Sequence, residues 1–185
     1  MRKLSCAILI ALVMSTLSAP AWAAASKRPK PPGVGDQIID FTLRDLKKRK
    51  IPTAKGRKNK IFLLKFGATW CGWCNKQIPH LNRVVKAYGK KVFVLDVDVR
   101  EDAKTVKKHN KKHRTKFLTV LDQTGAIAAK YGVSGIPVVI LADHNGKIAF
   151  VGNYTEFARL KTIIDGLIKK QKEEKKAATT AKKAE

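Results

Sequence analysis

Residues 61–74 read IFLLKFGATWCGWC. Ile61-Phe62-Leu63-Leu64 is a short apolar run of the kind buried in a sheet covered on both faces. Directly beyond it, Trp70-Cys71-Gly72-Trp73-Cys74 opens a segment in which Cys74, Ile78, Leu81, Val85 and Tyr88 recur every three or four residues, the period of a helix packed along one side. The two thiols therefore sit where a strand gives way to a helix. Unpaired backbone N–H groups and the positive end of the helix dipole gather there and favour a thiolate. Lys65 and Lys76 add positive charge nearby. The spacing suits disulfide exchange: a thiolate at Cys71 attacks a substrate disulfide, and Cys74, one helical turn on, resolves the mixed disulfide.

Outward from this centre the pattern repeats. Val92-Phe93-Val94-Leu95, Phe117-Leu118-Thr119-Val120-Leu121 and Val138-Val139-Ile140-Leu141 read as further buried strands, and Phe157, Leu160, Ile164 and Leu167 follow the helical period. Asp143-His144-Asn145-Gly146 reads as a hairpin turn, because Asn-Gly supplies the positive φ angles of a tight reversal, and it joins the Val138 strand to Lys147–Val151. Alternating strands and helices with one antiparallel end imply an α/β fold on a mixed sheet.

The ends read differently. Arg2 and Lys3 precede an apolar run from Leu4 to Leu17 and then small residues, the signature of a secretory signal peptide over residues 1–23 with cleavage after Ala23. The run is too short to span a bilayer comfortably. Residues 24–34 are rich in Pro and Lys and read as an extended linker, 35–169 as one domain, and 170–185, built from Lys, Glu, Gln, Ala and Thr, as a disordered or frayed-helix tail. The mature protein is expected to be soluble and exported, to the periplasm or an equivalent space.

Three cysteines are present, and Cys6 leaves with the signal. Two cysteines three apart cannot form a long-range cross-link, so in an exported chain they point to redox work or metal binding. A structural zinc site needs four ligands, and only His80, His109, His113 and His144 could complete one as imidazoles. His109 and His113, four apart on a basic helical segment, read as solvated. No metal is expected, and no cofactor beyond the Cys71–Cys74 disulfide. Lys and Arg number 39 against 14 Asp and Glu, a formal charge of +25. Such a field attracts anionic partners, and with an export signal present these are acidic substrates or lipid headgroups rather than nucleic acid.

With these motifs in order, the chain resembles the thioredoxin superfamily, and within it the exported TlpA/ResA-like thiol–disulfide oxidoreductases. The likeness rests on Asp40-Phe41-Thr42-Leu43-Arg44-Asp45-Leu46, on Phe66-Gly67-Ala68-Thr69-Trp70-Cys71 and on Tyr131-Gly132-Val133-Ser134-Gly135-Ile136-Pro137. The resemblance implies a thioredoxin-like sheet with helices on both faces. It also implies a cis bond before Pro137, and a substrate peptide lying against Trp70, Gly72, Trp73, Ile136 and Pro137, with the Ile136 backbone bonding to it. It further implies protein thiol or disulfide substrates, reduction rather than oxidation, a role in cytochrome c maturation and a membrane electron donor.

The departures from the family concern the proton. Gln77 stands where members of the branch often carry a glutamate, and Lys65 where thioredoxins carry a buried aspartate. Asp96 and Asp98 are the remaining acids for proton transfer as Cys74 attacks, and strand-end or loop carboxylates are their simpler reading. A peroxiredoxin reading would require a threonine three residues before the reactive cysteine, and Ala68 stands there. The alternatives are a copper-binding metal-delivery protein on the same fold, whose relatives space their thiols by three residues rather than two, and a non-catalytic module docking through its basic tail.

Overall fold

The computed structural model describes residues 30–184, so the signal segment and the first part of the linker lie outside the described residues. In chain order the elements are β1 (Thr42–Asp45), β2 (Lys50–Pro52), α1 (Thr53–Arg57), β3 (Ile61–Gly67), α2 (Gly72–Tyr88), β4 (Val92–Val99), α3 (Ala103–Lys112), β5 (Leu118–Asp122), α4 (Ala126–Lys130), β6 (Val138–Ala142), β7 (Ile148–Gly152) and α5 (Phe157–Ala184). The seven strands form one sheet in the order β2-β1-β5-β4-β3-β6-β7. β3, β4 and β5 run parallel at the centre, while β6 and β7 close one end antiparallel and β1 and β2 the other. The α/β fold on a mixed sheet is therefore as the sequence implied, and helices lie on both faces.

β3 is buried along its whole length because it is covered on both sides. Its even-numbered residues Phe62, Leu64 and Phe66 join Leu95 and Val97 of β4 and Ala128 of α4 in one core. Its odd-numbered residues Ile61 and Leu63 join Val92 and Val94 in the other, under Leu81 and Val84 of α2 and Leu160 and Ile164 of α5. Each fully buried Leu or Ile here stabilises the fold by about 1.5–3 kcal/mol relative to exposure.

On the α2 side the odd-numbered row then changes character. Lys65 and Gly67 follow Ile61 and Leu63 on β3, and Asp96 and Asp98 follow Val92 and Val94 on β4, with Lys65 paired to Asp96 and Gly67 to Asp98. The strand ends that carry chemistry are thus charged and yet buried.

The hairpin between β6 and β7 forms as read. Asp143 accepts hydrogen bonds from the backbone N–H groups of Asn145 and Lys147, each 2.9 Å, and Gly146 has a φ of 87°. The C-terminal tail over 170–185, read as a disordered or frayed-helix segment, is helical here, for α5 continues through it to Ala184. Lys, Glu, Gln and Ala all extend a helix readily once a packed first half has nucleated it, and Lys170 lies 3.8 Å from Glu174 one turn on. No helix among the described residues is long and apolar enough to cross a membrane.

Candidate active site

Cys71 occupies the N-cap of α2, and its sulfur accepts a hydrogen bond from the Cys74 N–H at 3.1 Å. The two cysteines are joined as a disulfide. Both are buried, but Cys71 is 7% exposed and Cys74 1%. Only the first sulfur can be approached from solvent, and its position at the helix end, facing a backbone N–H, stabilises it as a thiolate when the bond opens. The loop carrying Pro137 lies against it. The Ile136–Pro137 bond is cis, and the Ile136 carbonyl oxygen stands 3.6 Å from Cys71 Sγ.

Two exposed aromatic rings flank this point, Trp70 at 74% and Trp73 at 56%. Two grooves run away from it on either side of Ser134, Gly135 and Ile136, one walled by Trp73, Pro137 and Tyr154, the other by Trp70, Arg100 and Val133. Trp73 packs at 5.3 Å between ring centroids on Tyr154, and the Lys76 ammonium sits 4.2 Å over its face. That contact holds the indole upright as one wall of a groove. Gly72 has open space where a side chain would project. The five residues named for substrate contact thus lie at one mouth around Cys71; Tyr154, some eighty residues on, had no sequence signal.

Beneath the pair, burial forces pairing. Lys65 reaches Asp96 at 2.8 Å with both side chains almost wholly enclosed. Gly67 leaves a gap that the Lys65 ammonium and Cys74 Sγ both fill, the sulfur standing 3.1 Å from where a Cβ would project. Asp98, paired with Gly67 across β3 and β4, is 4% exposed, and its Oδ1 has no hydrogen-bond partner among the described residues. Burial, then the charges of Asp96 and Glu101, push the Asp98 carboxyl up to about 8, against a smaller downward pull from Lys65. Asp96 and Asp98 are therefore not solvated strand-end or loop carboxylates.

Glu101 pins the loop before Cys71. Its two carboxylate oxygens accept from the Thr69 N–H at 2.6 Å and the Thr69 hydroxyl at 2.5 Å. Asn75 donates to the Thr69 carbonyl and bonds through its own oxygen to His109 Nε2 at 2.7 Å. His109 is therefore half-buried and engaged rather than solvated, with its ring 4.3 Å from that of His113, and burial followed by the neighbouring imidazole lowers its pKa.

Gln77 has a structural reason to be an amide. It is fully buried, donates to the Thr155 carbonyl at 2.8 Å and accepts from the Thr155 N–H at 2.7 Å, clasping the loop before α5 to α2. A carboxylate could accept only one of those bonds. His80 does similar work: its Nδ1 accepts from the Phe157 N–H at the start of α5, and its Nε2 bonds to Tyr154.

Comparison with known proteins agrees with this geometry. Residues 34–151 match the model of the AhpC/TSA family. A thiol-disulfide oxidoreductase ResA of Bacillus thuringiensis subsp. konkukian is 34% identical over 116 residues, 62% of this chain and 66% of that protein. The ResA of Geobacillus thermodenitrificans is 30% identical over 142 residues, 76% of this chain and 81% of the relative. Among solved structures, a chain described as the thiol:disulfide interchange protein DsbE of Chlorobium tepidum superposes with a TM-score of 0.67 at 26% identity, covering 73% of this chain and 97% of that one.

Proposed function

The chain belongs to the AhpC/TSA family and is a thiol–disulfide oxidoreductase of the ResA-like kind, and from that premise we propose that it is exported and reduces disulfides in other proteins through Cys71 and Cys74. The observation that carries the reading is the disulfide at the head of α2, with its more accessible sulfur against the Ile136–Pro137 loop and between two exposed tryptophans. Reduced Cys71 attacks a substrate disulfide as a thiolate, and the substrate is joined to Cys71 while one of its sulfurs leaves. Cys74 then attacks Cys71 Sγ, and the Cys71–Cys74 bond re-forms as the second substrate sulfur leaves.

A polypeptide is the fitting substrate because the mouth offers a backbone carbonyl between two grooves with aromatic walls, one to each side. Proteins whose cysteines must be kept free, such as apocytochromes before haem attachment, are the class the resemblance implies. A membrane thiol donor would return the disulfide to the dithiol in an oxidising compartment.

The deciding measurement is the reduction potential of the pair, from alkylated-thiol counts in glutathione and dithiothreitol buffers. A value near or below about −270 mV is expected; one near about −120 mV would make the protein an oxidant of folding chains, and no reversible disulfide would end the redox reading. Cys74→Ser should trap a mixed disulfide on Cys71, and Cys71→Ser should abolish turnover.

A further inference from the structure

The disulfide is opened by attack on Cys71, and Cys74, which leaves bearing the electron pair, is 1% exposed and cannot take its proton readily from water. The surroundings of Gly67 show where a proton is kept. On β3 the missing side chain leaves a gap shared by Cys74 Sγ and the Lys65 ammonium. On β4 the residue paired with Gly67, one strand spacing of about 4.8 Å away, is Asp98. A sulfur that becomes an anion and a cation thus share one gap, and the neighbouring strand position carries a buried carboxyl with an oxygen that bonds to nothing among the described residues.

We infer that Asp98 stores, in the oxidised protein, the proton that Cys74 acquires when the disulfide opens, and that it recovers this proton when Cys74 attacks to close it. This rests on the redox reading above and supplies the proton route that Gln77 cannot. In the opening step the donor thiolate forms a bond to Cys71 Sγ, and the Cys71–Cys74 bond breaks with its electron pair on Cys74. The Asp98 carboxyl gives its proton to that sulfur, while the Lys65 ammonium, held 2.8 Å from Asp96, keeps its charge throughout. The negative charge has moved from sulfur to carboxylate, still within the field of Lys65. Resolution of a mixed disulfide runs the same transfers backwards.

The charged and titratable groups around Asp98 fit such a store. Asp96 on its own strand and Glu101 in the loop beyond hold its proton on, and Lys65 on β3 is the counter-charge once the proton has gone. His109 of α3, within the field of Lys65 and Asp96, is biased towards its neutral form by burial and by His113, so it adds no competing cation. Cys74 is the group contributed by α2.

The test is the rate of disulfide opening in the whole protein by dithiothreitol, expressed per dithiothreitol thiolate so that the attacker's own ionisation drops out, from neutral to alkaline pH. If Asp98 supplies the proton, the wild-type constant is level at neutral pH and falls about tenfold per unit once the pH passes about 8. Asp98→Asn, which keeps the shape, lowers the neutral-pH constant roughly a hundredfold, to a pH-independent value. Glu101→Gln keeps an acceptor for Thr69 but removes a charge that holds the proton on, so its break moves to lower pH. A wild-type constant without a break, or a break that survives in Asp98→Asn, overturns the inference while leaving the enzyme a disulfide exchanger. Failure of the disulfide to open with any thiol would instead remove the redox reading itself.

Discussion

At the residue scale, a carboxyl kept protonated inside the fold carries a stability cost that can be read out. An ordinary aspartate ionises near 3.8, and Asp98 in the folded chain near 8. Between those values the folded state holds a proton that the unfolded chain has lost, so stability declines as pH rises from about 4 to about 8 and is level beyond. Below pH 4 Asp98 imposes no cost. Asp98→Asn removes this term, and we expect it to stabilise the protein at pH 7 by roughly 2–4 kcal/mol and not at all at pH 3.5, measured by urea unfolding at both pH values. Equal effects at the two pH values would show that the carboxyl is not held protonated. Cys71, Cys74 and Pro137 are legible in the sequence because the chemistry and the turn sit within short motifs. Asp98 is reached in the sequence only by elimination, beside Asp96 and with a strand-end or loop reading simpler, and Glu101 not at all: twenty-seven and thirty residues beyond Cys71, they matter because β4 lies beside β3 in one register and because residue 67 lacks a side chain. Gln77 misleads for the same reason, since its partner Thr155 is distant in sequence and adjacent in space.

At the element scale, strands and helices with a regular apolar period were readable, since burial on a sheet face or along a helix leaves that period behind. The five predicted strands, the two amphipathic helices and the basic helical segment around His109 are present, with ends shifted by a few residues. What escaped was structure without such a period: the short β1–β2 hairpin, α1 and α4, and the outer half of α5, whose polar composition reads equally as coil. The two halves of α5 differ in what they contribute. Leu160 and Ile164 are completely buried, whereas no residue beyond Ile164 is buried among those described. Deleting Lys169–Glu185 should therefore change unfolding free energy by no more than about 0.5 kcal/mol, and Ile164→Ala should cost about 2–5 kcal/mol, both measured by denaturant titration. A large loss on truncation would mean that the tail packs.

At the scale of the whole molecule, the balance of charge on the surface is more one-sided than the composition suggests. No acid occurs between Asp45 and Asp96 in the sequence. Six of the fourteen acids are paired or enclosed: Asp40 pairs with Arg57, Asp45 with Arg49 and Asp96 with Lys65, while Asp98, Asp122 and Asp143 are buried. On α3, Lys104, Lys107, Lys108, Lys111 and Lys112 are all exposed without an ion pair among the described residues. A field of this sign speeds encounter with anionic partners and is screened over about 8 Å at physiological salt. Reduction of an acidic disulfide peptide should slow at least about tenfold between low and physiological ionic strength, whereas that of a basic peptide of equal length should speed up as its repulsion is screened. Equal salt profiles would leave the charge a matter of solubility.

The direction of α5 adds something to this. It begins beside Thr155, which Gln77 holds near the disulfide, and runs to Glu174, whose side chain meets His144 and Asn145 in the β6–β7 turn at the opposite end of the sheet. Ten more residues carry it about 15 Å beyond that contact. The lysine-bearing end is thus a stalk on the far pole of the molecule from Cys71. Whatever grips it, whether a sheet of acidic headgroups or a column of negatively charged resin, grips the protein from behind and leaves its reactive sulfur facing outward.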